Sequence, residues 1–184
     1  MKKNNLAAVI FSTIVGLTAF SATSCAQETV LPAPQKSTTE GSLSKALQDR
    51  KSVRKFSDKT LTDQQLADLL WAACGVNRPD GHLTVPSARN KQDITVYVGK
   101  GNAFIKTAPV VIVIASDTSL QGGNMAICGI DAGAVMQNVY LHCAANGLAT
   151  VCCYAGDDVT AMQKFLGIKA ELKPLICMPV GIAE

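Results

Sequence analysis

Read for the spacing of its apolar positions, the chain resolves into helices and strands from residue 42 onward. Residues 42–49 read as a short helix. Thr62-Asp63-Gln64-Gln65 is a capping box that opens a second helix through Leu66, Leu69, Leu70 and Ala73, ending near Gly75. After the turn-rich loop Asn77-Arg78-Pro79-Asp80-Gly81, the β-branched and aromatic run Ile94-Thr95-Val96-Tyr97-Val98 predicts a strand. Residues 110–115, which follow Pro109, are purely apolar and predict a central strand covered on both faces. From 124 to 146 the chain is almost wholly small and apolar, interrupted by Asp131, Gln137, Asn138 and His142, and predicts one long buried helix. A membrane span fits this stretch poorly, because Asp131 would sit in hydrocarbon and Asn138 and His142 would need partners there. Gly147 ends the helix as a left-handed cap, residues 150–154 predict a strand, Asp157 or Asp158 caps a short helix, and residues 175–182 predict a closing strand. The order helix, helix, strand, strand, long helix, strand, helix, strand is a mixed one, too irregular in its alternation for a Rossmann domain.

Composition adds class and address. With 184 residues, 48% hydrophobic and 17% charged, the chain fits one soluble domain with a real core. Of the formal charge of +3, Lys2 and Lys3 supply two, and with 5% aromatic residues and no basic stripe nothing points to nucleic acid. Residues 1–24 read as an export signal, with a basic start at 1–5 and an apolar run at 6–20 that is short against the roughly 20 residues of a membrane span. Small residues then lead into Cys25. Either Cys25 is the lipidated first residue of a mature lipoprotein facing the periplasm, the favoured reading, or ordinary cleavage after Ala26 releases a soluble periplasmic protein. Residues 25–41, polar and rich in Pro, Ser and Thr, suit a tether, so the folded domain spans 42–184.

Export makes the cysteines worth testing as disulfides. Cys128 and Cys143 fall on one predicted helix, about 22 Å apart, and cannot bridge. Cys152 and Cys153 are adjacent on a predicted strand and point to opposite faces. With only His82 and His142 and no C-x-x-C pair, a metal site is poorly supported, and most of the cysteines read as small buried apolar residues.

Two clusters carry the candidate chemistry. Arg50-Lys51-Ser52-Val53-Arg54 crowds cationic and hydroxyl side chains together with no acidic residue among them, a composition suited to an anion: guanidinium forks bind phosphate oxygens in pairs, and a hydroxyl fills a remaining lone pair. Such runs are more often plain solvated surface. Pro86-Ser87-Ala88-Arg89-Asn90-Lys91-Gln92, just before a strand, is a small-residue turn whose hydroxyl, amide and backbone N–H groups could read the edge of a flat heteroaromatic ring, the bland alternative being a polar turn. Two nucleotide motifs fail: Phe104 stands where G-x-G-x-x-G needs its third Gly, and Ile105 where a P-loop needs Gly before Lys106.

Together the two clusters resemble the FMN-dependent nitroreductase family, whose members carry R-x-S-x-R/K at the end of the first helix and P-S-x-x-N-x-Q before a strand. Leu66 to Gly75 (LADLLWAACG), Asp131-Ala132-Gly133 through Gln137-Asn138 to Asn146-Gly147-Leu148, and the closing Leu166-Gly167-Ile168 and Met178-Pro179-Val180-Gly181 extend the likeness over most of 42–184. The resemblance implies an α+β fold: a three-layer α/β/α sandwich with a mixed, mostly antiparallel sheet and a long central helix. It implies an FMN site in which Arg50 and Ser52, with Lys51 between them, hold the phosphate or ribityl end. Arg54 would approach the pyrimidine side and stabilise the charge around N1 and O2 of the reduced ring. Pro86, Ser87, Ala88 and Asn90 would line the ring edge, and Ala155-Gly156 would offer a backbone N–H near N5.

It further implies a homodimer with the flavin at the interface, and electron transfer to a nitroaromatic, quinone or similar small-molecule acceptor without a side-chain catalytic acid or base. Relatives commonly place a basic residue after the last strand, whereas Ala183-Glu184 stands there; many have Pro where this chain has Asp93, and the stretch between Lys100 and Ala108 is short. A tethered protein that holds flavin or another planar anion without turnover is the alternative. Export would put cytosolic NAD(P)H out of reach as donor.

Overall fold

The computed structural model describes residues 9–11, 27–28, 30–35, 42–100 and 108–184. Cys25 and nearly all of the export signal lie outside these residues. Two helices open the domain. In α1 (Leu43–Asp49) the Ser42 hydroxyl accepts the Lys45 N–H at 3.2 Å, and Lys45 pairs with Asp49 one turn on. In α2 (Asp63–Cys74) both halves of the predicted capping box form: Gln65 N–H donates to Thr62 Oγ1 at 3.1 Å, and Thr62 N–H to Gln65 Oε1 at 2.9 Å. The helix stops at Gly75, where a Cβ would stand 2.4 Å from the Trp71 ring.

A sheet follows, built on three long antiparallel strands in the spatial order β3 (Ile94–Lys100), β4 (Val110–Asp117), β7 (Leu172–Ile182). Two short strands, β5 (Leu148–Thr150) and β6 (Cys153–Tyr154), pair with the far side of β7. On the other edge β1 (Val9–Phe11), within the segment read as an export signal, runs parallel to β3 and pairs with β2 (Gln27–Glu28) of the segment read as a tether, so these two strands stand outside the 42–184 domain. The sheet is therefore mixed and mostly antiparallel.

The purely apolar run of β4 is explained by its two covered faces. Val110, Ile112 and Ile114 pack under α2 and the long helix α3 (Met125–Ala145), while Val111 and Val113 pack against Met162 and Leu166 of α4 (Val159–Leu166). Helices on both faces of one sheet give the three layers. Truncating a fully buried member such as Leu69 or Ile112 to Ala costs about 2–5 kcal/mol.

Three expectations need correction. The predicted strand over 150–154 is two strands, although the pairing register with β7 runs through both. Pro179 of β7 has no N–H to give the ladder, and the Cys152 N–H turns away to the Tyr140 hydroxyl at 2.7 Å. The closing strand begins at Leu172 rather than 175. A proline at 174 argues against strand, yet it sits where the β4–β7 register shifts between Ile114 and Ala115, and that bulge accommodates it. Finally, α3 is buried on one side only: Cys128, Ala132, Val135, Val139 and Cys143 face the core, whereas Ile130 is 72% exposed. Its N-cap is Asn124, and Gly147 takes the left-handed conformation just past its end (φ 66°).

Candidate functional site

The basic segment 50–54 leaves α1 as irregular chain, stitched to the sheet by Val53 N–H donating to Thr150 O at 2.9 Å. Its organiser is Tyr140, on α3. The Arg50 guanidinium lies 5.1 Å from the centroid of the Tyr140 ring, a cation–π contact that aligns the half-buried side chain. The Tyr140 hydroxyl accepts the Cys152 N–H and lies 2.9 Å from Ser52 Oγ. Either hydroxyl can be the donor in that bond; when the phenol donates, the serine proton is left for an acceptor outside the knot. No carboxylate forms an ion pair with Arg50, Lys51 or Arg54 among the described residues. A cleft of about 470 Å³ opens beside the knot, lined by Lys51, Val53, Tyr140, Cys143, Gly147 and Thr150 among others.

The 86–92 loop is built in the opposite manner. Arg89, Asn90 and Gln92 all have positive φ (54°, 51° and 50°), a conformation that costs a non-glycine residue roughly 1–2 kcal/mol. Internal bonds close the turn, with Gln92 N–H donating to Ser87 Oγ at 2.8 Å and Gln92 Nε2 to Asn90 Oδ1 at 3.3 Å. Beneath it lies a buried polar network. The Ala88 N–H donates to both carboxyl oxygens of Asp131 on α3, at 2.9 and 3.1 Å. Gln121 Nε2 donates to Asp93 Oδ1 at 2.8 Å and approaches Asp131 Oδ2 at 3.3 Å, and Ser116 Oγ donates to Asp93 Oδ2 at 2.6 Å.

Asp93, Ser116, Gln121 and Asp131 are each at most 4% exposed. The network is rich in acceptors, and Gln121 Oε1 itself has no partner among the described residues. The two carboxyls, Asp93 and Asp131, respond in opposite directions. Burial pushes both upward, but the hydrogen bonds from Ser116, Gln121 and Asp131 hold Asp93 below its ordinary value. Asp131 is raised by burial and by the Asp93 charge, against the Ala88 N–H, which lowers it. The two carboxyls are thus pushed apart, Asp93 toward its charged form and Asp131 toward its protonated one.

At the third expected segment, Ala155 N–H donates to Leu175 O at 3.3 Å and Gly156 has φ 98°. The neighbouring thiols are quiet. Burial pushes Cys143 and Cys177 up to about 12 and Cys74 up to about 11, with nearby thiols contributing at Cys177 and Asp93 at Cys74, so they stay protonated at neutral pH. Cys74, Cys128, Cys143, Cys152, Cys153 and Cys177 are all unpaired thiols.

The structure thus gathers 50–54 and Cys152 at Tyr140, packs Ala155 in the cluster under α4, and hangs the 86–92 loop on Asp131. The two anchor points are nine residues, about 13 Å, apart along α3. The cleft beside the basic segment includes none of 86–92 in its lining. One sequence inference fails: the Ala88 N–H is not an exposed donor but is committed to Asp131. Sequence reasoning also missed Tyr140, Gln121 and Ser116. Asp131 was visible as a carboxylate interrupting an apolar helix, whereas Tyr140 passes as one more apolar position.

A mostly antiparallel sheet between two helical layers, with a cation-rich segment released at the end of the first helix, defines an α+β domain of three layers. The chain belongs to the nitroreductase family, a family of oxidoreductases: its sequence matches the family's description over residues 47–102 and 99–182. A Methanocaldococcus jannaschii protein described as a nitroreductase is 29% identical over 174 residues, covering 72% of this chain and 86% of its own. A Methanothermobacter thermautotrophicus protein described as an NADH dehydrogenase/NAD(P)H nitroreductase is 28% identical over 148 residues, 74% of each chain. Among solved structures, a Ralstonia eutropha protein described as a nitroreductase superposes with a TM-score of 0.76 at 26% identity, covering 84% of this chain and 88% of its own. A Clostridium difficile FMN-dependent nitroreductase shares the fold with a TM-score of 0.63 at 20% identity, covering 76% and 87%.

Proposed function

We propose that this protein is an FMN-dependent oxidoreductase passing two electrons to an organic acceptor of nitroaromatic or quinone type, and that it works as an exported homodimer anchored to lipid through Cys25. The observation that carries the flavin reading is the knot at the end of α1: a half-buried Arg50 with no carboxylate partner among the described residues, the Ser52 hydroxyl held with it at Tyr140, and a cleft that Lys51 and Tyr140 line. A phosphate fits this donor set, since the guanidinium offers two parallel N–H groups and the hydroxyl a third.

FMN, when bound, supplies the two-electron chemistry. The chain's part is binding and electrostatics. Arg50, Lys51 and Ser52 would hold the phosphate and ribityl end, and Arg54 would bring positive charge to the pyrimidine side of the ring. Pro86, Ser87, Ala88 and Asn90 would line the ring edge. With the Ala155 N–H already given to Leu175, Gly156 is left to supply the backbone donor at that turn. Support for a second copy comes from exposed apolar side chains on α1 and α3, namely Leu43 at 66%, Leu47 at 53% and Ile130 at 72%. At Gly129 and Gly133 of α3 an added Cβ would meet nothing within 4 Å, so that face is open to close approach by another chain.

Purification tests the reading directly. The expected protein is yellow, bleaches under dithionite and regains colour with a quinone or nitroaromatic acceptor; a colourless protein that FMN cannot reconstitute overturns it. Mass spectrometry of the mature N-terminus distinguishes a diacylated Cys25 from a free end after Ala26.

A further inference from the structure

The geometry points to Asp131 as a positioning residue: its carboxyl, oriented from behind by Asp93 and Gln121, clamps the Ala88 N–H and so holds the 86–92 loop in a left-handed conformation that the loop's own side chains disfavour. Four separate parts of the chain converge on this one task. Asp131 comes from α3, Asp93 from the residue before β3, Ser116 from β4 and Gln121 from the turn after β4. All four are buried, and the outward product of the network is its grip on Ala88: two carboxyl oxygens on the N–H and Gln121 Nε2 at 3.5 Å from the Ala88 carbonyl.

Within the turn the Asn90 N–H donates to Ser87 O at 2.9 Å and the Lys91 N–H to Ala88 O at 3.2 Å, and Gln92 Nε2 ties it to Gly81 O at 3.2 Å. The turn's internal bonds satisfy Ser87, Asn90 and Gln92, yet three non-glycine residues remain at positive φ, and such strain persists only where surrounding structure over-determines it. A buried acceptor pair on the Ala88 N–H, immediately before the first strained residue, adds the restraint from the core. Asp131 is buried behind the proposed ligand edge and reaches it only through its bonds to the Ala88 N–H. That the loop lines a flavin rests on the function proposed above; the clamp itself does not.

Asp131→Asn and Asp131→Ala, made in the full chain, separate the two layers. Asparagine keeps an oxygen for the Ala88 N–H; alanine keeps none. In Asp131→Ala the Ala88 amide should exchange its hydrogen at least about 10-fold faster than in the parent, and FMN should bind about 10-fold more weakly, the scale of one lost hydrogen bond to a polar anchor. In Asp131→Asn both quantities should stay within about 3-fold of the parent.

The exchange measurement involves no flavin. Faster exchange in a chain whose parent does not take up FMN leaves the clamp standing and removes the flavin reading. Unchanged exchange in Asp131→Ala, or equal acceleration in both variants, overturns the clamp, and faster exchange with unaltered FMN affinity overturns the positioning role. Should Asp131→Ala not fold, Gln121→Leu replaces it: about 3-fold faster Ala88 exchange is expected from loss of the amide that orients both carboxyls, and no change overturns the proposal.

Discussion

The 50–54 segment and the 86–92 loop are both hung on α3, but they are held in contrasting ways. The first is tied down at its edges, by the Tyr140 hydroxyl to Ser52 and by Thr150 to Val53, and keeps its cations free of carboxylates among the described residues. The second is tied down at its centre, by a buried carboxyl on Ala88, and has spent most of its hydrogen-bonding capacity internally. An anion site needs donors left over, because unpaired charge near a surface is solvated cheaply and exchanges water for ligand at small loss. A shape-reading edge needs a fixed backbone, because an incorrect loop conformation would have to be corrected at each binding event. The contrast separates supply of charge from supply of geometry.

The largest expected effect breaks the charge-supplying side. Arg50→Ala should weaken FMN binding by about 1.5–3 kcal/mol in a fluorescence titration, while thermal stability falls by less than about 1 kcal/mol, since only the cation–π contact is lost from the fold. A stability loss exceeding the affinity loss would make Arg50 a structural residue. Tyr140→Phe should touch both stability and ligand, because it strands the Cys152 N–H and releases Ser52; a loss of about 1–2 kcal/mol in denaturant unfolding is expected, with a weaker FMN complex.

A smaller effect of opposite sign is expected on the geometric side. Arg89 is exposed and left-handed (φ 54°), so Arg89→Gly should raise stability by about 0.5–1 kcal/mol, the relief of a disfavoured conformation less the entropy of glycine. A destabilised variant would mean that Arg89 carries a contact of its own.

The smallest effect lies outside both segments and serves as a control. Burial holds His142 below its usual value, with Asp68 opposing. A folded-state value below the unfolded one means that the neutral imidazole's contribution is fully present above pH about 6.5 and is lost as the pH falls through the lower folded value. Melting temperatures followed from pH 8 down to pH 5 should decline on the acid side, and His142→Gln should flatten that decline. Below pH about 4, Asp93 would add its own loss, since its charge is stabilised in the fold and protonation there removes that contribution.

Much of the architecture was legible along the chain. The capping box at Thr62, the two-faced apolar run of β4 and the Asn124 and Gly147 ends of α3 are local signals, and local backbone preference decides them. The errors came where a second strand or a distant side chain intervened. Pro174 reads as a strand breaker until a bulge in the β4–β7 ladder accommodates it, and residues 150–154 read as one strand until Pro179 and Tyr140 interrupt the pairing. For the site, the residue types of 50–54 and 86–92 were readable as an anion-binding segment and a polar turn.

What the sequence by itself determined was the inventory and order: which residues carry charge, which segments are helical or extended, and which family they resemble. Tertiary structure alone decided the assignments that depend on meeting. It brought Tyr140 to Arg50, Ser52 and Cys152, and it brought Asp131, Asp93 and Gln121 together under Ala88. Hydrogen bonds and cation–π contacts act over a few ångströms, and residues separated by tens of positions come that close only once the sheet and α3 have packed.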